Sequence, residues 1–194
     1  MQQNRLKINA DCIIPAAGLS SRMGCWKLAL PFQDSTILER SVQNARESCE
    51  QVIVVAGEHV EQVREILSPY KDVLIIENPH YQLGLLSSIR VGLEYVTRDY
   101  FYIAHADMPY IAYDIFAALW HRRLAGAVFP GNLEHSGHPV LVSSRMMPRI
   151  FSSHALSMKA ILSASHTIYL ALQDESIHLD VDTPDAYQRL INQR

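Results

Sequence analysis

Cysteine is scarce. Cys12, Cys25 and Cys49 are the 3 present, widely spaced and odd in number. This excludes a disulfide framework and a CxxC metal or redox motif, and it suits a reducing cytoplasm, the expected location. Positive charge is not in excess. The 17 Lys and Arg against 20 Asp and Glu leave a net charge of -3, which argues against a nucleic-acid binder with its basic stripe. No apolar run approaches the roughly 18 residues of a membrane span. Met1 to Ala10 are polar with scattered apolar positions and do not make a signal peptide. Repeats, low-complexity tracts and dividing linkers are also missing. What remains is a chain of 194 residues, 48% hydrophobic and 19% charged, which fits one domain with a single sizeable core over 1–194.

Strand and helix signals alternate along it. Cys12 to Ala16 is an apolar run that predicts a buried strand. Thr36-Ile37-Leu38-Glu39 has capping-box spacing, and Ile37, Leu38, Ser41, Val42 and Ala45 form one helical face. Gln51 to Ala56 is a second strand, and Val60, Val63, Ile66 and Leu67 mark a short helix. Val73 to Ile76 is a third strand, closed by Asn78-Pro79. Gly84 opens a helix carrying Ile89, Leu93 and Val96, and Tyr100 to Ala104 is a fourth strand. A helix with Ile111, Ile115, Ala118 and Leu119 buried leads to a fifth strand, Ala127 to Phe129. Strands without polar alternation are buried on both faces, so the pattern predicts a mostly parallel, twisted sheet between helices. Past Pro130 the order changes. Pro139 to Val142, Thr167 to Leu172 and Ile177 to Leu179 read as strands, and Arg145 to Phe151 and Ala155 to Ser163 as helices. Thr183-Pro184-Asp185 starts the last helix, with Thr as cap and Pro at the first position.

Ligands of such sheets lie at the carboxyl ends of the strands. The first strand runs there into Ala16-Ala17-Gly18, then a small-residue loop with Arg22, Gly24 and Lys27. Glycine lets backbone N–H groups turn toward a phosphate, and the two cations supply the charge such a ligand needs. The loop lacks the Gly-Lys-Ser/Thr ending of a P-loop. Asp107 follows the fourth strand directly, where a carboxylate can hold Mg²⁺ against phosphate oxygens. Its other role, capping the next helix, is weakened by Pro109. Asp180 and Asp182 lie two apart and point the same way in an extended stretch. Either completes a Mg²⁺ site with Asp107, or one caps the last helix, with a slight lean to Asp182 on the metal side.

Five segments carry a resemblance. They are Ala16-Ala17-Gly18 with Ser21-Arg22-Met23-Gly24, Lys27 and Leu30-Pro31; Gly84 to Ile89; Ala106-Asp107-Met108-Pro109; Gly137-His138-Pro139-Val140; and Asp180 to Pro184. In this order the sequence resembles the molybdenum cofactor cytidylyltransferase family, within the MobA-like nucleotidyltransferases, on the branch of accessory proteins to molybdenum hydroxylases. The resemblance implies a three-layer Rossmann-like α/β fold. It also implies a nucleotide-binding half near 11–110 and an acceptor-binding half near 111–194. The implied reaction moves a nucleoside monophosphate from an NTP, CTP by preference, to a molybdopterin-type phosphorylated acceptor, with release of pyrophosphate. Ala16, Ala17 and Gly18 would hold the base and the start of the triphosphate, with Ser21 in the same loop. Arg22 and Lys27 would hold the β- and γ-phosphates, and Asp107 would bind Mg²⁺. Ser87 and Ser88, after Gly84, would contact base or ribose. Gly137 and His138 would lie on the acceptor side. An apo molybdenum hydroxylase is an implied partner; nucleic acid and membrane are not.

The sequence departs from the family in two places. Ala106, preceded by His105, stands where the family carries Gly, and no Gly-Asp-x-Gly-Ala-Arg segment precedes the last strands; Lys159 is the basic residue of that region. Among the 9 histidines, His135 and His138 are close, but no third zinc ligand stands at a usual spacing. His105 is expected to pack at the strand end, and Trp26 either stacks on a base or pterin or packs over the loop. Two other functions fit the scaffold: a sugar-phosphate or alcohol-phosphate nucleotidyltransferase, and a non-catalytic molybdenum cofactor chaperone.

Overall fold

The computed structural model describes residues 5–18 and 23–192. Its first strand, β1 (Ile8–Ala16), is buried almost throughout, as its unbroken apolar run requires. After Lys27–Ala29, a single 3-10 turn, a small ribbon forms from β2 (Pro31–Phe32) and β3 (Ser35–Thr36). The helix α1 (Ile37–Ser48) follows, and the Thr36 hydroxyl accepts from the Glu39 N–H at 3.1 Å, as the cap spacing predicts. Then come β4 (Cys49–Ala56), α2 (Val60–Ile66) and β5 (Val73–Glu77). The helix α3 (Leu85–Leu93) starts after Gly84, whose φ of 92° is a backbone state open to glycine. The strand β6 (Tyr100–Ile103) and the helix α4 (Tyr113–His121) complete the alternating part.

Beyond it lie β7 (Ala127–Pro130), β8 (Val140–Ser143), α5 (Met147–Ser152), α6 (Met158–Ser163), β9 (Thr167–Leu170) and α7 (Pro184–Asn192). Among the described residues, seven strands form one sheet in the order β5-β4-β1-β6-β8-β7-β9. Only β8 runs against its neighbours in that sheet. The connection from β7 to β8 holds no helix, and a short return suits an antiparallel neighbour. Ile177 to Leu179 do not form the expected strand. Glu175–His178 is a 3-10 turn, because the Asp174 carboxylate accepts from the Ser176 N–H at 2.9 Å and curls the chain.

Two apolar clusters cover the two faces of the sheet. One joins Cys12, Ile14 and Ala16 to Leu38 and Val42 of α1, Val63 of α2, Ile115 of α4 and Leu190 of α7. The other joins Ile13, Ile53 and Val55 to Ile89 of α3, Ile150 of α5 and Ile161 of α6. The result is the three-layer α/β architecture that the alternation predicts. No helix among the described residues is long and apolar enough to cross a membrane.

At the sheet's amino end, Asp11 is fully buried within β1. Its Oδ2 accepts from the Thr97 N–H at 2.7 Å and the Arg98 N–H at 3.2 Å, and its Oδ1 accepts from the Arg98 guanidinium at 3.1 Å. This carboxylate ties the turn before β6 to β1. Asp11→Ala is expected to cost about 3 kcal/mol in urea unfolding, because two backbone donors lose their acceptor in the interior. An unchanged midpoint would show that water replaces the carboxylate at no cost.

Candidate active site

The strand order reverses at β1. The chain leaves β1 toward β4 and β5 on one side, then crosses to β6 on the other. A crevice opens outside the carboxyl ends of strands at such a point. Here it is a pocket of about 460 Å³. Its floor is Pro15, Ala16, Ala17 and Gly18 from the end of β1. One wall comes from the segment before and into α3, with Tyr81, Gln82, Gly84, Leu85 and Ser88. The opposite wall carries Lys27, His105, Asp107, Asp180 and Asp182.

Local structure fixes each of these groups. The Ala104 N–H donates to the Ile13 carbonyl at 3.0 Å, so the loop after β6 starts locked to β1. The Asn44 side-chain amide of α1 donates to the Pro109 carbonyl at 2.7 Å and holds its far side. Asp107, 9% exposed, is pinned between. Val181 is fully buried, so its extended neighbours Asp180 and Asp182 both turn to the pocket. The Thr183 hydroxyl accepts from the Ala186 N–H at 3.2 Å, so Thr183 caps α7 and neither acid is needed for it.

These supports bring three distant stretches onto one ammonium. The Lys27 Nζ donates to Asp107 Oδ2 and, at 2.8 Å, to Asp182 Oδ1. Burial pulls the Lys27 pKa down, but the two carboxylates outweigh it and hold the ammonium above the usual lysine value. Burial raises the Asp180 carboxyl, and the charges of Asp107 and Asp182 push it further up. Behind Asp107, the rings of His105 and His138 stack with centroids 3.7 Å apart. Burial, then the Lys27 charge, lowers the His105 pKa to about 4, and burial, then His105, lowers that of His138 to about 3. Both rings are neutral near pH 7.

Most sequence-predicted residues meet here: Ala16, Ala17, Gly18, Lys27, Gly84, Ser88, Asp107 and Asp182 line the pocket. Ser21 and Arg22 lie outside the described residues. Ser87 is not in the lining. Its hydroxyl donates to the His80 carbonyl at 3.0 Å and accepts from the Asn78 amide at 2.7 Å, which braces the turn that presents Tyr81. Gly137 and His138 also stand outside the lining. A Cβ on Gly137 would sit 2.3 Å from the Ile177 carbonyl oxygen, so this glycine serves close packing of the turn that precedes Asp180. His138 reaches the pocket only through its stack on His105. The Trp26 and His59 rings are tilted at 31° with centroids 4.8 Å apart, and Trp26 is not in the pocket lining. Lys159 donates to the Leu133 carbonyl at 3.3 Å. Tyr81 and Gln82 are wall residues that no motif singles out; their signal is proximity to Gly84.

The donor set fits a hard divalent cation. Asp107 and Asp182 converge to hydrogen-bonding distance of one cation, and carboxylate oxygens are what Mg²⁺ prefers. Among the described residues no group of three or more His, Cys, Asp or Glu is arranged to hold a metal. Two carboxylates leave the remaining positions to water or phosphate oxygens.

Comparisons with known proteins identify the family of the chain. The MobA-like NTP transferase domain matches residues 12–168. A molybdenum cofactor cytidylyltransferase from Escherichia coli strain K12 is 38% identical over 178 residues, 91% of this chain and 93% of that protein. A probable molybdenum cofactor guanylyltransferase from Bacillus cereus strain Q1 is 28% identical over 189 residues, 90% of this chain and 92% of that protein. A solved nucleotidyl transferase from Methanothermobacter, 19% identical, superposes with a TM-score of 0.82 over 94% of this chain and 95% of its own, which shows the shared fold. With relatives matched nearly end to end and a domain match from β1 into β9, this chain is a nucleotidyltransferase and belongs to the MobA-like NTP transferase family.

Proposed function

We propose that this chain transfers the cytidylyl group of CTP to the phosphate of molybdenum cofactor and releases pyrophosphate. The observation that carries the reading is the carboxylate-paired Lys27 beside the strand-end Ala16-Ala17-Gly18 backbone, in one pocket at the switch point. The choice of CTP and of this acceptor follows the name of the 38% identical relative, with the guanylyltransferases more distant at 28%.

An acceptor phosphate oxygen attacks the α-phosphorus, a new P–O–P bond forms, and the bond to the β-phosphate oxygen breaks. The nucleophile is already an anion at neutral pH, so no general base is needed. The work left to the protein is positioning and charge neutralisation. The end of β1 offers backbone to the nucleotide, Lys27 meets the charge of the β- and γ-phosphates, and Asp107 and Asp182 would hold a magnesium ion. That ion, when bound, neutralises charge shared among the phosphate oxygens. Arg22 joins Lys27 in the same role. His138 orients the acceptor side through His105.

The expected result is an acceptor-dependent release of pyrophosphate from CTP, faster than from GTP. CTP with Mg²⁺ at about 100 times its dissociation constant adds roughly 2.7 kcal/mol of stability, a rise of about 5–11 °C in Tm for a chain of this size. If GTP alone shifts Tm, the base assignment fails. If sugar phosphates support turnover and molybdenum cofactor does not, the acceptor assignment fails. A Tm shift with no pyrophosphate release under any acceptor would favour a carrier.

A further inference from the structure

Lys27 does something here that a simple phosphate ligand does not. Its ammonium sits on the same two carboxylates, Asp107 and Asp182, that are the oxygen donors for a divalent cation. We propose that Lys27 is a tethered cation that holds this carboxylate pair until a triphosphate draws it off, so that the site takes its metal as the metal–triphosphate complex and only weakly alone. The proposal rests on the reading of Asp107 and Asp182 as the metal-side residues.

Three observations support it. First, the overlap is at the level of atoms. Lys27 bonds Asp107 Oδ2 and Asp182 Oδ1, so a metal ion using these oxygens must displace the ammonium or share a carboxylate with it. Two cations crowded on one pair of partly buried carboxylates repel, and the pocket walls screen that repulsion less than bulk water would. Second, the two carboxylates are too few to enclose an ion. No group of three or more metal-capable side chains is arranged to hold one among the described residues. A metal arriving alone therefore gains two carboxylates and loses to a resident ammonium. A metal arriving with a triphosphate brings phosphate ligands of its own, and it also brings the anion that offers Lys27 a new partner.

Third, the exchange needs little motion. The backbone of Lys27 is fixed. Leu28 is buried, the Leu30 N–H donates to the Lys27 carbonyl at 3.2 Å, and the Ile37 N–H donates to the Leu30 carbonyl at 3.1 Å. Only the four-carbon stem has to swing, and it lies in the same pocket as Ala17 and Gly18, beside which the proposed function puts the triphosphate. Metal and nucleotide then bind with positive coupling, and the coupling is reciprocal.

The test counts bound Mn²⁺ by electron paramagnetic resonance, with and without the non-hydrolysable α,β-methylene analogue of CTP. Wild type, Lys27→Met, Lys27→Arg and Asp107→Asn are compared, each checked for an unchanged melting temperature. Without nucleotide, Lys27→Met is expected to bind Mn²⁺ about tenfold more tightly than wild type, while Lys27→Arg stays weak. The analogue is expected to tighten Mn²⁺ binding more in wild type than in Lys27→Met. That difference separates a displaced tether from a general loss of positive charge, which would leave the nucleotide-induced gain equal in both. Equal Mn²⁺ affinity of wild type and Lys27→Met without nucleotide, or an equal gain with it, overturns the tether. Mn²⁺ binding that is absent throughout, or that Asp107→Asn leaves unchanged, overturns instead the metal assignment on which the tether rests.

Discussion

Asp107→Asn is expected to slow pyrophosphate release about a thousandfold while the protein stays folded. Of the three acids in the pocket, Asp107 is the most enclosed. Its side chain is 13% exposed, against 35% for Asp182. Water therefore replaces a lost Asp182 more readily than a lost Asp107, and Asp182→Asn should be about tenfold milder. Asp180 lines the same pocket, but no hydrogen bond joins it to Lys27 among the described residues. Its substitution by Asn should be milder still. The fold should survive at Asp107, because Asn keeps the shape of the side chain and Lys27 keeps Asp182 as a partner. Steady-state pyrophosphate release with CTP, beside a thermal melt of each variant, checks the ranking. Near-wild-type turnover in folded Asp107→Asn would sink the proposed chemistry.

The ranking also marks what local sequence carried. Apolar runs without alternation predict strands buried on both faces, and β1, β4 and β6 are such strands, whereas β5 stands at the sheet edge and is only half-buried beyond Val73. Once β1 and β6 are neighbours, the loops after them share one edge, so Ala16-Ala17-Gly18 and Asp107 had to meet. That much follows from topology and from which residue stands at each strand's carboxyl end. The direction of β8 does not show in Val140 to Ser143 themselves. Its signal is the helix-free connection before it. The turn at Glu175–His178 was hidden for another reason. Ile177 alternates with polar neighbours as a strand residue would, yet the Ile177 carbonyl is taken by the His138 N–H at 3.1 Å and the chain curls around that contact. Asp182 could be chosen over Asp180 only weakly from spacing. In the structure Asp182 pairs with Lys27 while Asp180 only lines the pocket, an arrangement that depends on where Val181 docks in the core. The stack of His105 on His138 joins two loops far apart in sequence and has no local signature at all.

That stack predicts a large acid sensitivity. In the unfolded chain each histidine titrates near 6.5. In the folded protein His105 is lowered to about 4 and His138 to about 3. Both rings lose most of their water without being fully buried, the Lys27 ammonium stands near His105, and for His138 a protonated His105 stacked at 3.7 Å would stand at contact distance. The Nδ1–H of His138 donates to the Ile103 carbonyl at 3.4 Å, which favours the protonated ring but does not outweigh burial. Between about pH 6.5 and 4 the unfolded chain therefore binds more protons than the folded one. Stability is full above pH 6.5 and falls as pH drops, by roughly 1.4 kcal/mol per pH unit for each ring once below its unfolded pKa. With both rings, the slope reaches about 2.7 kcal/mol per unit near pH 5. His138 continues to lose stability below pH 4, until its folded pKa is passed. Asp180 acts in the opposite sense. Its raised carboxyl takes up a proton in the folded state first, so it offsets part of the loss at the acid end. Urea unfolding at pH 7.5, 6.0 and 5.0 with a chelator present measures the slope. His138→Asn removes one of the two titrating rings, so the slope between pH 6 and 5 should fall by about half. A wild-type unfolding free energy that is flat from pH 7.5 to 5.0 would mean that these two rings are not buried as a neutral pair.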